Sequence, residues 1–220
     1  MKRCLFSIIA LVLATTSLLL ADPKWDPSID AFEKQDQTTP PPKDAVLFVG
    51  SSSIRLWKTL AEDFPGVPVL NRGFGGSTIP AVNEYVERIV WPYAPLLIVF
   101  YAGDNDIANK ATPEKVLKDY QAFVAKVREK LPETPIIFLS IKPSPSRAAL
   151  LPAQQEANRL IRDYIATDKS QTFVDVATPL LGQDGQPNGK LFVEDGIHMT
   201  PDAYTLWRDI LRPYVEPAAQ

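Results

Sequence analysis

The chain holds one histidine, His198, with an aspartate three residues before it in "DGIH", Asp195 to His198. A carboxylate at that spacing on a turn can take one imidazole nitrogen and leave the other facing outward. Near pH 7 a neutral imidazole is the suitable acceptor for a hydroxyl's proton. Hydroxyls stand in "GSSS", where Ser51, Ser52 and Ser53 directly follow an apolar run. A serine at a strand-to-helix turn lies beside backbone N–H groups that lack helical partners. The same three serines would also serve as plain helix caps, and residue type alone does not choose between them. Asn105, in "AGDND", carries an amide that could donate to an oxyanion, or merely form a turn. Gly73, Gly75 and Gly76, in "NRGFGGST", permit backbone turns that present N–H groups to an anion. Hydroxyl, base, orienting carboxylate and anion donors are the parts needed for acyl transfer.

Other chemistry fits less of the sequence. Asp104, Asn105 and Asp106 are hard oxygen donors, but the EF-hand calcium pattern is absent, and no metal is expected. "GFGG" lacks the context of a phosphate loop with its lysine, so a nucleotide-binding reading leaves the Asp195–His198 pair without a purpose. A ligand-binding domain that turns nothing over has no need of an oriented base either. No cofactor is expected.

These residues need elements to position them. Apolar runs recur at 45–49, 67–70, 96–101, 135–141 and 172–176, continuous rather than alternating, as in parallel strands covered on both faces. Helical patterns lie between. "TPEKVLKDYQAFVAKVREKL", 112–131, opens on Thr112 as N-cap with Pro113 behind it, and its Val116, Tyr120, Phe123, Val127 and Leu131 share a face. Residues 152–166 and 200–215 read similarly. The alternation predicts one α/β domain, three layers deep, around a mainly parallel five-stranded sheet with helices on both faces. In such sheets the ligand crevice lies at the carboxyl ends of the strands. "GSSS", "NRGFGGST" and "AGDND" follow the first three strands, and "EDGIHMT" precedes the last helix. Trp57, Trp91, Tyr101 and the loop "KPSPSR", 142–147, could line a pocket at that edge, but aromatics beside strand ends are more often core and none is assigned to substrate. Arg147 follows the fourth strand on the active edge.

Lys2 and Arg3 precede an apolar run from Leu5 to Leu20, and Ala21 offers a small residue for cleavage. This is the layout of a secretory signal, so export to the periplasm or beyond is expected, with no stable membrane insertion after cleavage. Cys4 is the only cysteine, so the mature chain would carry no disulfide, thiol nucleophile or cysteine-held metal. The formal charge of −3 grows more acidic once Lys2 and Arg3 are removed, and it excludes the basic footprint of nucleic-acid binding. The expected divisions are a signal peptide at 1–21, an N-terminal helix and proline-rich lead-in at 22–43, and a hydrolase domain at 44–216. Trp25, Ile29 and Phe32 are spaced to pack that first helix on the body, before Pro40, Pro41 and Pro42 force an extended entry.

The four clusters, in this order, resemble the SGNH or GDSL-type hydrolases, whose serine, glycine, asparagine and histidine come from four separate blocks. Gly50-Ser51-Ser52 is similar to the first block, Gly-Asp-Ser, which implies Ser52 as the nucleophile. The second block resembles "NRGFGGST" and implies Gly76 as an oxyanion donor. Gly103-Asp104-Asn105-Asp106 is similar to the third, which implies the same role for Asn105, and Asp195-Gly196-Ile197-His198 to the last. The resemblance implies a flavodoxin-like strand order. It further implies a Ser52–His198–Asp195 acyl-enzyme mechanism, with the oxyanion held by the Ser52 and Gly76 amides and the Asn105 side chain. Short-chain, above all acetyl, esters of small molecules or carbohydrates are the expected substrates. The alternatives are a thioesterase or lysophospholipase of the same family, or a non-catalytic ligand-binding domain on the same scaffold. Two positions depart from the pattern: Ser51 replaces the family's aspartate in the first block, and Ser77 stands where many relatives have aspartate.

Overall fold

The computed structural model describes residues 24–218. The expected signal segment and Cys4 lie outside the described residues. Helix α1 (Asp26–Thr38) leads into β1 (Val46–Gly50), the short α2 (Ser52–Arg55) and α3 (Leu60–Asp63), and β2 (Val69–Gly73). Then come α4 (Ile79–Ile89), β3 (Leu97–Tyr101), α5 (Asp104–Ala108), α6 (Pro113–Arg128), β4 (Ile136–Leu139), α7 (Leu151–Ile165), β5 (Gln171–Val174) and α8 (Pro201–Ala218).

The five strands form one sheet in the order β2-β1-β3-β4-β5, with every neighbouring pair parallel. Successive side chains on each strand enter opposite cores. Leu47, Val49, Ile98 and Phe100 meet α1, α4, α6 and α7 through Ile29, Val82, Phe123 and Ile161. Val46, Phe48, Val99 and Tyr101 meet the other layer through Ile54, Trp57, Trp207 and Leu211. Both faces being buried explains the continuous apolar runs. Thr112 caps α6 by accepting from the Lys115 amide at 3.3 Å.

Two elements go beyond the sequence reading. Helix α4 begins at a cap that "STIP" encodes, with Thr78 accepting from the Ala81 amide at 3.3 Å. Strand β2 runs past the apolar residues 67–70 to Gly73, taking in Asn71 and Arg72. Arg72 is buried and pairs with Asp36 of α1. The Tyr93 hydroxyl accepts from its Nε at 2.8 Å. A polar edge strand becomes possible because α1 supplies the counter-charge.

Gly50 ends β1 with φ of 138°. A Cβ there would lie 1.8 Å from the Tyr101 carbonyl oxygen, which accepts the Ser51 amide at 2.9 Å. The serine turn is thus hung directly on β3. Gly50→Ala is expected to lose at least roughly 3 kcal/mol from combined overpacking and left-handed strain. Denaturant unfolding measures the loss, and a difference below 1 kcal/mol would contradict this account.

Candidate active site

The three serines do three different things. Ser51 is buried and occupies the N-cap of α2 without making a side-chain cap bond. Ser53 is buried, and its carbonyl accepts the Tyr204 hydroxyl of α8 at 2.9 Å. Ser52 alone places its Oγ on the imidazole, 3.1 Å from His198 Nε2. The Tyr204 bond carries α8 onto the serine turn, and so sets the distance between two loops 146 residues apart.

His198 Nδ1 lies 2.5 Å from Asp195 Oδ2. The other carboxylate oxygen, Oδ1, accepts the Ile197 and His198 amides at 2.8 and 2.9 Å. Those donors, the His198 amide first, hold the Asp195 pKa down at about 2. An ionised carboxylate can only accept, so Nδ1 carries the proton and Nε2 keeps a lone pair for the Ser52 hydroxyl.

The turn that carries His198 is stitched to "KPSPSR". Asp195 O accepts Ser146 Oγ at 2.7 Å, Gly196 O accepts the Ser146 amide at 3.0 Å, and Ile197 O accepts Lys142 Nζ at 2.8 Å. Lys142 is fully buried, and desolvation lowers its pKa. Its nearest carboxylate is Asp104, at 3.7 Å, which also pairs with Arg147 at 2.7 Å and accepts Gln154 at 3.0 Å. Arg147 Nη2 in turn donates to Asn105 Oδ1 at 3.1 Å.

That last bond decides how Asn105 faces. With Oδ1 on Arg147, Nδ2 donates one hydrogen to Ser77 O at 3.0 Å and has a second to spare. The flipped amide would set donor against donor and acceptor against acceptor. The Ser52 and Gly76 amides have no acceptor among the described residues. Gly76 has φ of +73° and open space where a Cβ would sit. Ser77, in the place of a common aspartate, uses its hydroxyl to join Gly50 O at 3.3 Å and Phe74 O at 3.0 Å. A short hydroxyl there ties the glycine turn to the end of β1.

All the residues the motifs singled out therefore border the ends of β1, β2 and β3 and the turn before α8. Asp104 and Asp106 flank Asn105 but turn to different partners: Asp106 Oδ1 caps α4 by accepting the Ile79 amide at 3.0 Å. Trp57 and Tyr101 are buried core, and Trp91 is half-buried against the core on the other side of the sheet. Lys142 escaped the sequence reading. A lysine at a strand end is ordinarily solvated, and only the neighbouring carbonyl and Asp104 reveal its use.

The sequence pattern of the GDSL-like lipase/acylhydrolase family matches residues 48–206. The chain belongs to that family. It is accordingly a hydrolase of carboxylic esters. Among curated proteins nothing matches the chain. Solved structures resemble it in fold. A Streptococcus pneumonia protein named as a platelet activating factor superposes with a TM-score of 0.76 at 23% identity, covering 86% of this chain and 92% of its own. A GDSL-like lipase from Bacteroides thetaiotaomicron gives 0.72 at 21%, covering 86% and 98%. An acetylxylan esterase from Geobacillus stearothermophilus gives 0.63 at 14%, covering 78% and 94%.

Two outcomes follow from the charged groups. Burial raises the Asp106 pKa to about 6, and its Oδ2 has no partner. The unfolded carboxyl ionises near its ordinary 3.8, so stability falls as pH rises from there to about 6. Asp106→Asn should gain roughly 2 kcal/mol over the natural chain at pH 8 and almost nothing at pH 4, read as melting temperatures. A gain independent of pH would refute the assignment. Lys142→Met should release the Ile197 carbonyl and unpair Asp104 in part, costing roughly 3 kcal/mol of stability and at least about tenfold in turnover. Melting and steady-state kinetics check both; unchanged turnover would mean that the His198 turn holds itself.

Proposed function

We propose that the chain is an exported esterase that removes short acyl groups, acetyl above all, from small-molecule or carbohydrate esters through an acyl-enzyme on Ser52. The observation that carries this reading is the unbroken line from Asp195 Oδ2 through the imidazole to Ser52 Oγ, at 2.5 and 3.1 Å. Ser52 Oγ attacks the ester carbonyl as His198 Nε2 takes its proton. The carbonyl oxygen becomes an oxyanion, met by the Ser52 and Gly76 amides and by the spare hydrogen of Asn105 Nδ2. Collapse expels the alcohol, which receives the proton back from His198. Water, activated by the same nitrogen, then attacks the acyl group and frees Ser52. Asp195 stays ionised throughout and stabilises the imidazolium.

Preference for the acetyl group is supported by the fold shared with an acetylxylan esterase and by the absence of an obvious apolar lid segment in the sequence. Export is supported by the signal-like arrangement of residues 1–21.

The test is hydrolysis of p-nitrophenyl esters, acetate through long chains, by mature protein and its Ser52→Ala variant. Acetate should turn over fastest, and Ser52→Ala should lose at least about 10⁴-fold in kcat. Activity surviving in the variant would overturn the role of Ser52. A rate rising with chain length would overturn the acetyl preference.

A further inference from the structure

Trp25, at the entrance to α1, donates its indole N–H to the carbonyl oxygen of Gly75 at 3.1 Å. That oxygen belongs to the same peptide unit as the Gly76 N–H. A trans peptide is planar, and its C=O and N–H point in opposite directions, so a partner for one sets the direction of the other. The unit joins two glycines, so no Cβ of its own opposes its rotation; the Arg55 guanidinium lies against Gly75, while the space beside Gly76 is open. Without a partner for its oxygen, the N–H could turn away from the Ser52 crevice at small cost.

The geometry points to Trp25 as a positioning residue for the oxyanion site: its N–H on Gly75 O holds the Gly76 amide toward Ser52. This rests on the reading of Gly76 as an oxyanion donor. The indole is itself fixed. It packs edge-on against the buried Phe74, with ring centroids 6.1 Å apart, and Phe74 is bonded through its amide to Gly50 O at 2.9 Å. Helix α1 is fastened behind it. Arg88 of α4 pairs with Asp30 and Glu33, each at 2.6 Å, and Tyr85 donates to Asp26 at 2.8 Å. Trp25 lies upstream of residues 48–206, where the family pattern matches, so a segment outside that pattern completes the site. A donated hydrogen bond at the carbonyl also polarises the peptide and strengthens its N–H as a donor.

The test compares the natural chain with Trp25→Phe, which keeps the ring on Phe74 and removes only the donor. Steady-state kinetics on p-nitrophenyl acetate, inhibition by phenylboronic acid (a mimic of the tetrahedral intermediate) and melting temperature are measured together. Trp25→Phe should lose roughly tenfold in kcat, part of the 10²–10³ that loss of a whole oxyanion donor costs. Boronate affinity should weaken by a similar factor, with KM within about twofold and melting little changed. Arg88→Ala, which loosens α1 and leaves the indole donor in place, should weaken boronate affinity clearly less than Trp25→Phe does. Trp25→Phe matching the natural chain in kcat and boronate affinity would overturn the inference. So would an equal loss in Arg88→Ala, which would assign the effect to helix docking. If the natural chain hydrolyses no ester, or Ser52→Ala is as active, the esterase mechanism itself fails and this inference with it. Activity that depends on Ser52 but ignores Trp25→Phe removes the inference alone.

Discussion

The hydrogen bond from His198 Nδ1 to Asp195 Oδ2 is the contact on which the rest of the structure depends. It places the imidazole proton on Nδ1 and leaves Nε2 free to accept from Ser52. Much of the surrounding architecture keeps that ring aimed. The backbone amides of residues 197 and 198 occupy the second carboxylate oxygen, so the carboxylate cannot swing. The carbonyls of residues 195, 196 and 197 are each taken by the loop after β4. A turn whose polar backbone is satisfied this fully has few alternative conformations to visit.

Behind the turn lies a buried set of charges, Lys142, Asp104 and Arg147. Burying ions is expensive, and pairing alone often fails to recover the cost. Here each of the two cations also makes a bond that reaches the site. Lys142 holds the His198 turn, Arg147 orients Asn105, and Asp104 sits between the two cations. The cluster is better explained by specificity of geometry than by stability. It couples the third and fourth sequence blocks, so the His198 turn and the Asn105 amide share one support.

The first and second blocks are coupled differently, through backbone. Gly50 O receives the Phe74 amide and the Ser77 hydroxyl, and the Ser51 amide reaches across to β3. This works because β1 is flanked by β2 and β3, the point where the strand order reverses and the chain ends diverge around a crevice. Replacing the family's aspartates by Ser51 and Ser77 leaves these supports neutral. A hydroxyl can donate to a carbonyl where a carboxylate can only accept.

Much of the protein could be read from its residues. Continuous apolar runs implied buried parallel strands, Thr-Pro starts implied helices, and the "DGIH" spacing implied an oriented imidazole, because each rests on local geometry. The convergence of four blocks on one edge followed from the alternation of strands and helices. Choosing Ser52 on the sequence alone rested on register with a family motif. The structure distinguishes it from Ser51 and Ser53 because α8, through Tyr204, brings the imidazole to one hydroxyl of three. The place of Arg147 on the active edge is legible in the sequence, but the bonds that Lys142, Arg147 and Trp25 make are not, since each depends on a partner 42 to 55 residues away in the chain. Local sequence determines which chemistry is available and what element carries it. Only tertiary packing decides which donor meets which acceptor, because a hydrogen bond is selected by distance in space and not by separation along the chain.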